Sequence, residues 1–353
     1  LFAKASKDPH ERVREFYLLI EPLLKRYHEY VTNKSYLDFN EMILQSMELL
    51  ENDPKTLEFV KEQYKYILID EFQDVNNLQV RLIKKLLTDR TRLFCVGDDW
   101  QSIYGFRGSN VDYTVNFTNH FKGAEVIKLT KNYRSMPTIV EAGNHVIANN
   151  QHKVDKTVLA HKEGETKIHL YAGKEESANV EYVADAIRQL YEQGYQKEDL
   201  LILHRRSADY APYYQYFKEA GLEVPHSTIH GAKGLEARAV FILGLHDMPG
   251  GFPEVWSTDR IYQLIKPSNQ KAMMEEERRL FYVAITRAKD ELFLLSIKGS
   301  PSGFLEEIPA KYISRSKKVA LLKKEQVYQC IQCNTLCEED VNYCPNCGSP
   351  NIL

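Results

Sequence analysis

Long hydrophobic runs are missing from this sequence. The longest apolar stretches are strand-sized, far short of the roughly 20 residues a spanning helix needs, so neither a helical anchor nor a membrane partner is expected. An excess of either charge is missing too: 46 Lys and Arg stand against 49 Asp and Glu, a formal net charge of −3. Nothing global announces a nucleic-acid binder, and any such affinity must come from local patches. Cysteine is scarce, six in 353 residues, and four of the six stand in two Cys-x-x-Cys pairs. That pattern favours a metal site in a reducing compartment over a disulfide framework. No basic-then-apolar leader pattern opens the chain, so a cytoplasmic location is expected. The last absence is Gly-x-x-x-x-Gly-Lys-Ser/Thr, the loop whose backbone amides cradle phosphates.

What is present begins with 43% hydrophobic residues, enough for two or more cored domains at this length. The run Ile67-Leu68-Ile69 ends abruptly in Asp70-Glu71. It predicts a buried parallel strand with two carboxylates at its C-terminal end, the edge where open α/β sheets bind ligands. An aspartate there can hold Mg²⁺, and a glutamate beside it can orient or deprotonate a water attacking a phosphate. An ordinary acidic turn is the plainer explanation of Asp70-Glu71 alone. Against it stands a second strand, Leu93-Phe94-Cys95-Val96-Gly97, which runs into Asp98-Asp99-Trp100-Gln101 and then Tyr104, Phe106 and Arg107. Gln101 can report on a bound phosphate. Tyr104 and Phe106 offer flat faces for stacking, worth about 1–3 kcal/mol per base. Cys95, inside the strand, reads as a small core residue.

Apolar spacing predicts a helical segment before residue 36, through Val13, Phe16, Tyr17, Ile20, Leu23 and Leu24. Strands are expected near 66–70, 93–97, 125–129, 167–171, 199–204, 239–245 and 291–297. A helix near 178–193 carries Val180, Val183, Ala184, Ile187, Leu190 and Tyr191 on one core-facing side. The alternation argues an α/β fold of two stacked parallel-sheet domains.

From Asp70 to Lys289 the chain resembles the superfamily 1 DNA helicases of the UvrD/Rep type. The match continues in order through Asn132-Tyr133-Arg134-Ser135, Thr228-Ile229-His230-Gly231-Ala232-Lys233-Gly234-Leu235-Glu236, and Glu276 to Lys289 with its Ala284-Ile285-Thr286-Arg287. The wording Gly97-Asp98-Asp99-Trp100-Gln101 and Gly250-Gly251-Phe252-Pro253 is closest to the DNA helicase IV subgroup. So is the short interval 135–227, which leaves no room for the mobile domain that UvrD and Rep insert there.

The resemblance implies two RecA-like motor domains, the first incomplete, since the phosphate loop is absent and the chain starts at Leu1. An N-terminally truncated piece, inactive alone, is the expectation. Implied boundaries are the end of a helical accessory insertion at 1–36, the C-terminal half of the first RecA-like domain at 37–130, and the second at 131–311. The implied activity is ATP-dependent 3′-to-5′ unwinding of DNA, with single-stranded and partly duplex DNA as partners, ATP and Mg²⁺ as cofactors, and DNA repair as the setting. By the same resemblance Asp70 would hold Mg²⁺ through its water shell, Glu71 would activate water, and Gln101 would sense the γ-phosphate. Arg134 and Arg287 would reach that phosphate, Tyr133 would stack on the nucleobase and Glu236 would approach the ribose. Tyr104, Phe106, Thr228 and His230 would face single-stranded DNA. The plainer alternatives are core aromatics for Tyr133 and Phe106, a capping role for His230, and pairing of Arg278 and Arg279 with Glu275 to Glu277. Rival functions are a non-motor nucleic-acid-binding or protein-docking module, and the helicase subunit of a helicase–nuclease complex.

The C-terminal stretch stands apart. Cys330-x-x-Cys333 and Cys344-x-x-Cys347 are spaced as a tetrahedral thiolate site, so a Zn²⁺ ribbon is expected over 327–353, with Cys337 as a fifth thiol. It is a candidate surface for a protein partner. Residues 312–326 read as a basic linker, through Arg315, Lys317, Lys318, Lys323 and Lys324, and are either a solvated helix or a phosphate-tracking arm.

Overall fold

A computed structural model describes residues 6–254, 261, 270–315, 328–329 and 336–337. Helix α1 (Glu11–Asn33) buries Val13, Tyr17 and Val31, while Leu18, Leu19, Leu23 and Leu24 stay exposed, so the expected helix forms with much of its apolar side uncovered. Local chemistry sets the next starts. Asp38 and Glu41 form a reciprocal capping box at α2 (Phe39–Asn52). Asp53 caps α3 (Pro54–Gln63), where Pro54 occupies the first turn and needs no amide partner. Asn76 and Gln79 repeat the box at α4 (Asn77–Leu86).

Strands β1 (Tyr66–Ile69) and β2 (Arg92–Cys95) pair in parallel. Their alternate residues Ile69, Leu93 and Cys95 pack against Phe72, Val75, Val80 and Phe121. Cys95 is half-buried, and burial pushes its thiol up to about 11, as fits a core residue. Burial on both faces was the expectation for these strands and does not hold. Tyr66, Leu68 and Phe94 project from the other face and are exposed. The strand expected at 125–129 is also absent, with Val126, Ile127 and Leu129 exposed. A strand needs a neighbour's amides and carbonyls, and among the described residues no ladder pairs with this segment.

The second unit holds β5 (Ile168–Gly173), β6 (Leu200–His204), β7 (His226–Thr228), β8 (Ala237–Ile242), β9 (Ala288–Ile297) and β10 (Ile313–Ser314), following a small parallel pair, β3 (Lys131–Asn132) with β4 (Leu159–Ala160). The six are all parallel, in the order β10-β5-β9-β8-β6-β7. Helices α5 (Pro137–Ala148) and α8 (Gln270–Ile285) cover one face through Ile139, Val146, Leu280 and Phe281. On the other lie α6 (Glu176–Glu192) and α7 (Ala211–Ala220), through Ile187, Leu190, Tyr213 and Phe217. Cover on both sides is why β6 is buried at every residue and reads as an unbroken apolar run. Ile103, from the loop after β2, inserts into the first of these cores and pins that loop to the second unit.

Beyond residue 315, β11 (Tyr328–Gln329) pairs antiparallel with β12 (Leu336–Cys337). Cys330, Cys333, Cys344 and Cys347 lie outside the described residues, as do the lysines of the basic linker. Among the described residues no group of three or more His, Cys, Asp or Glu side chains is arranged to hold a metal ion. No helix among the described residues is long and apolar enough to cross a membrane.

Candidate nucleotide and nucleic-acid site

The site gathers where the two units meet. Asp70 and Glu71 follow β1 and are exposed. Asp70 accepts the Glu71 amide at 2.8 Å, and its exposed carboxylate offers the hard oxygen that a hydrated Mg²⁺ takes. Glu71 has φ +51°, a left-handed conformation that costs a residue with a side chain about 1–3 kcal/mol. That turn sends Phe72 and Gln73 inward, both buried. The Gln73 side-chain amide donates to the Glu71 carboxylate, and its oxygen accepts the Asp98 amide at 2.9 Å, so one glutamine ties the ends of β1 and β2. A Cβ at Gly97 would meet that oxygen at 2.7 Å and the Gln73 backbone nitrogen at 3.1 Å, so a side chain there would push Gln73 out of this arrangement.

The loop after β2 is held rigidly. Asp98 accepts from the Trp100 amide (3.1 Å), the Gln101 side-chain amide (2.7 Å) and Lys156 (2.7 Å). Asp99, 1% exposed, accepts from the Val154 amide at 2.7 Å and Lys156 at 2.8 Å. Trp100 is buried edge-on against Tyr282. These bonds aim the Gln101 oxygen at Arg287, whose guanidinium donates to it at 3.3 Å.

Arg287 sits between the end of α8 and β9, 1% exposed. It also donates to the carbonyls of Val283 (3.0 Å) and Leu235 (3.1 Å). Burial, then the neighbouring Arg134, lowers its pKa to about 10, which leaves it a cation at neutral pH. Glu71 is near enough to act on the same charge. Asn132 accepts the amides of Arg134 (2.8 Å) and Ser135 (2.9 Å), a side-chain-closed turn that presents Tyr133 outward. Arg134 reaches Glu236 at 2.5 Å, and Lys289 reaches the other Glu236 oxygen at 2.6 Å. Lys289 first, and then Arg134, holds the Glu236 carboxyl below its usual range. Tyr133 is 64% exposed beside His161, so a core role is excluded.

The aromatic cluster adjoins this cleft. Tyr104 donates its hydroxyl to the His230 carbonyl at 3.0 Å. Phe106 is 53% exposed and meets the His230 ring edge-on at 5.2 Å, again not a core position. The Arg107 guanidinium lies over both Tyr104 (5.1 Å) and Phe106 (5.4 Å). Burial, then Arg205 and Arg107, lowers the His230 pKa to about 4, so the ring is neutral and presents an aromatic face. Thr228 closes a turn by accepting the Gly231 amide at 3.1 Å.

Sequence reasoning assigned no role to Gln73, Lys156 or Lys233. Lys233 lies in the run Gly231-Ala232-Lys233-Gly234. It pairs with Asp74 and lies 3.1 Å from Glu71. The pairing expected for Arg278 is corrected: it forms a forked bond with Glu307 (2.8–3.0 Å) and donates to Asn150. Glu277 instead takes Arg205 at 2.8 Å, and only Arg279 keeps to the expected set, with Glu275 at 3.9 Å.

Acids at the ends of parallel strands face arginines from a second parallel-sheet unit, the arrangement of a two-unit α/β protein. Comparison with known proteins gives the family. The UvrD/REP helicase N-terminal domain matches residues 3–122, and the UvrD-like helicase C-terminal domain matches 127–226 and 214–299. The chain belongs to the UvrD-like superfamily 1 helicases. A probable DNA helicase of Mycoplasma pneumoniae is 32% identical over 320 residues, 86% of this chain and 58% of that protein. DNA helicase IV of Escherichia coli is 30% identical over 320 residues, 87% of this chain and 44% of that one. The ATP-dependent DNA helicase PcrA of Staphylococcus epidermidis is 29% identical over 238 residues, 67% of this chain and 32% of its own. The chain thus spans from about a third to under three fifths of the length of these curated relatives.

Proposed function

We propose that this chain is the C-terminal portion of an ATP-dependent 3′-to-5′ DNA helicase of the helicase IV type. It translocates on single-stranded DNA and unwinds duplex, and its phosphate loop lies outside this sequence. The observation that carries the reading is the contact of Gln101 with Arg287 across the two units, beside Glu71 and Arg134. In this reading Asp70 holds hydrated Mg²⁺, Glu71 activates water, Gln101 senses the γ-phosphate, and Arg134 and Arg287 stabilise its transition-state charge. Glu236 approaches the ribose and Tyr133 stacks on the base. Its present contacts with Arg134 and Lys289 mean that Glu236 must exchange partners when nucleotide binds. The exposed apolar face of β1 and β2 supports incompleteness of the first motor domain, because burying such a face is worth roughly 25 cal/mol per Å². The proposed units are the end of a helical insertion at 1–36 and motor domains at 37–130 and 131–311.

Tyr104, Phe106, Thr228 and His230 form the proposed strand-facing surface. The test uses the chain as it stands. Anisotropy of a labelled oligo-dT should report binding, and Phe106→Ala should weaken it by about 5–150-fold, the loss of one base stack. Unchanged affinity in Phe106→Ala removes that residue from the surface.

The tail is proposed as a zinc ribbon held by Cys330, Cys333, Cys344 and Cys347. The cysteine spacing supports it, as does the β11–β12 pairing that flanks the first cysteine pair in sequence. A segment of this size lacks the area for its own core, and a structural metal stabilises such modules. Metal analysis should find about one zinc per chain, lost in Cys344→Ser. A metal-free protein contradicts the assignment.

A further inference from the structure

We propose that Lys233 is a positioning residue that holds Glu71 in an unproductive pairing, and that DNA on the Phe106–His230 surface releases it. This rests on the helicase reading above and names the residue that would connect its two halves.

Lys233 touches both halves. Its side chain is 8% exposed, paired with Asp74, and its ammonium lies 3.1 Å from Glu71 Oε2. The same nitrogen lies 5.4 Å from the centre of the Tyr104 ring. Tyr104 in turn donates to the carbonyl of His230, three residues before Lys233. The loop from 228 to 236 therefore begins at the aromatic surface and ends its reach on the acid that follows β1. Gly234, at φ +85°, gives that loop a turn open to glycine and strained for other residues.

With the Lys233 ammonium on it, Glu71 Oε2 is turned to a side chain and not to a water. Glu71 Oε2 also takes the Gln73 amide, which leaves that oxygen fully engaged. Asp74 is the anchor: its other oxygen is buried without a hydrogen-bond partner, so the pairing with Lys233 is the one that offsets its burial. A base stacking on Phe106 meets the His230 ring, which sits edge-on to it at 5.2 Å, so it acts on the loop with a strength that differs between loop positions. A ligand shifts an equilibrium by that difference alone.

The experiment is lysine acylation footprinting of the chain, read by mass spectrometry with and without saturating oligo-dT. Binding is measured separately by anisotropy. Alone, Lys233 should react slowly. With oligo-dT its rate should rise several-fold, and Phe106→Ala should suppress the rise. Glu71→Gln, which removes one anion from the pairing, should raise the rate without DNA. Bound oligonucleotide with an unchanged or slower Lys233 rate overturns the latch while leaving the DNA surface intact. Failure of the oligonucleotide to bind overturns the underlying reading, and the latch with it.

Discussion

Arg287→Ala is expected to cut DNA-stimulated ATP hydrolysis by about 10³–10⁵ in a form of the protein that carries a phosphate loop. Arg287 is one of the cations that link the units: it is 1% exposed, bonded to the Gln101 oxygen, and fixed by the Val283 and Leu235 carbonyls. Such a group arrives pre-oriented, so it stabilises transition-state charge without reorganising. Arg287→Lys separates charge from geometry. A lysine keeps the charge and lacks the fork that reaches Val283, Leu235 and Gln101 together, so it should recover little turnover. Nucleotide affinity measured by a fluorescent analogue should change far less than kcat. Turnover near wild type in Arg287→Ala would remove this residue from its role.

Lys156→Met should lower folding stability by about 3–5 kcal/mol, the usual result of stranding a buried charge. Asp99 is 1% exposed and Lys156 is its ammonium partner at 2.8 Å, with Asp98 at 2.7 Å. Methionine keeps the length of the side chain but not the charge. The loop carrying Trp100 and Gln101 should loosen with it, because Lys156 also lies 4.7 Å from the Trp100 ring. Urea unfolding followed by tryptophan fluorescence should show the shift. Adding Asp99→Asn to Lys156→Met should give a loss smaller than the sum of the two single changes, since both remove one interaction. Additive losses would mean the pair is not coupled.

The second sheet was legible because its strands are covered on both faces, which makes Leu200 to Leu203 and Leu292 to Leu295 read as continuous apolar runs. The sequence singled out Asp70, Glu71, Gln101 and Arg287 for the order of their residue types, and the fold brings Gln101 to Arg287 with Glu71 nearby. The exposed face of Leu68 and Phe94 was not legible, because an apolar run says what a strand could bury and not what lies over it. For the same reason Val126, Ile127 and Leu129 looked like a strand without becoming one. β7 (His226–Thr228) was missed as three residues, too short for a period to show. Lys156 and Lys233 were missed because their partners Asp99 and Asp74 lie 57 and 159 residues away. Long-range pairing between single charged residues leaves no local spacing to read.

The central claim is that Glu71 activates water at a site completed by the second unit and governed by DNA. It is tested most directly by phosphate release at saturating ATP and Mg²⁺, with and without oligo-dT, in wild type and Glu71→Gln of a form carrying the phosphate loop. The expected result is DNA-stimulated release in wild type, and release slowed by orders of magnitude in Glu71→Gln while ATP still binds. Stimulated turnover in Glu71→Gln close to that of wild type would contradict the account.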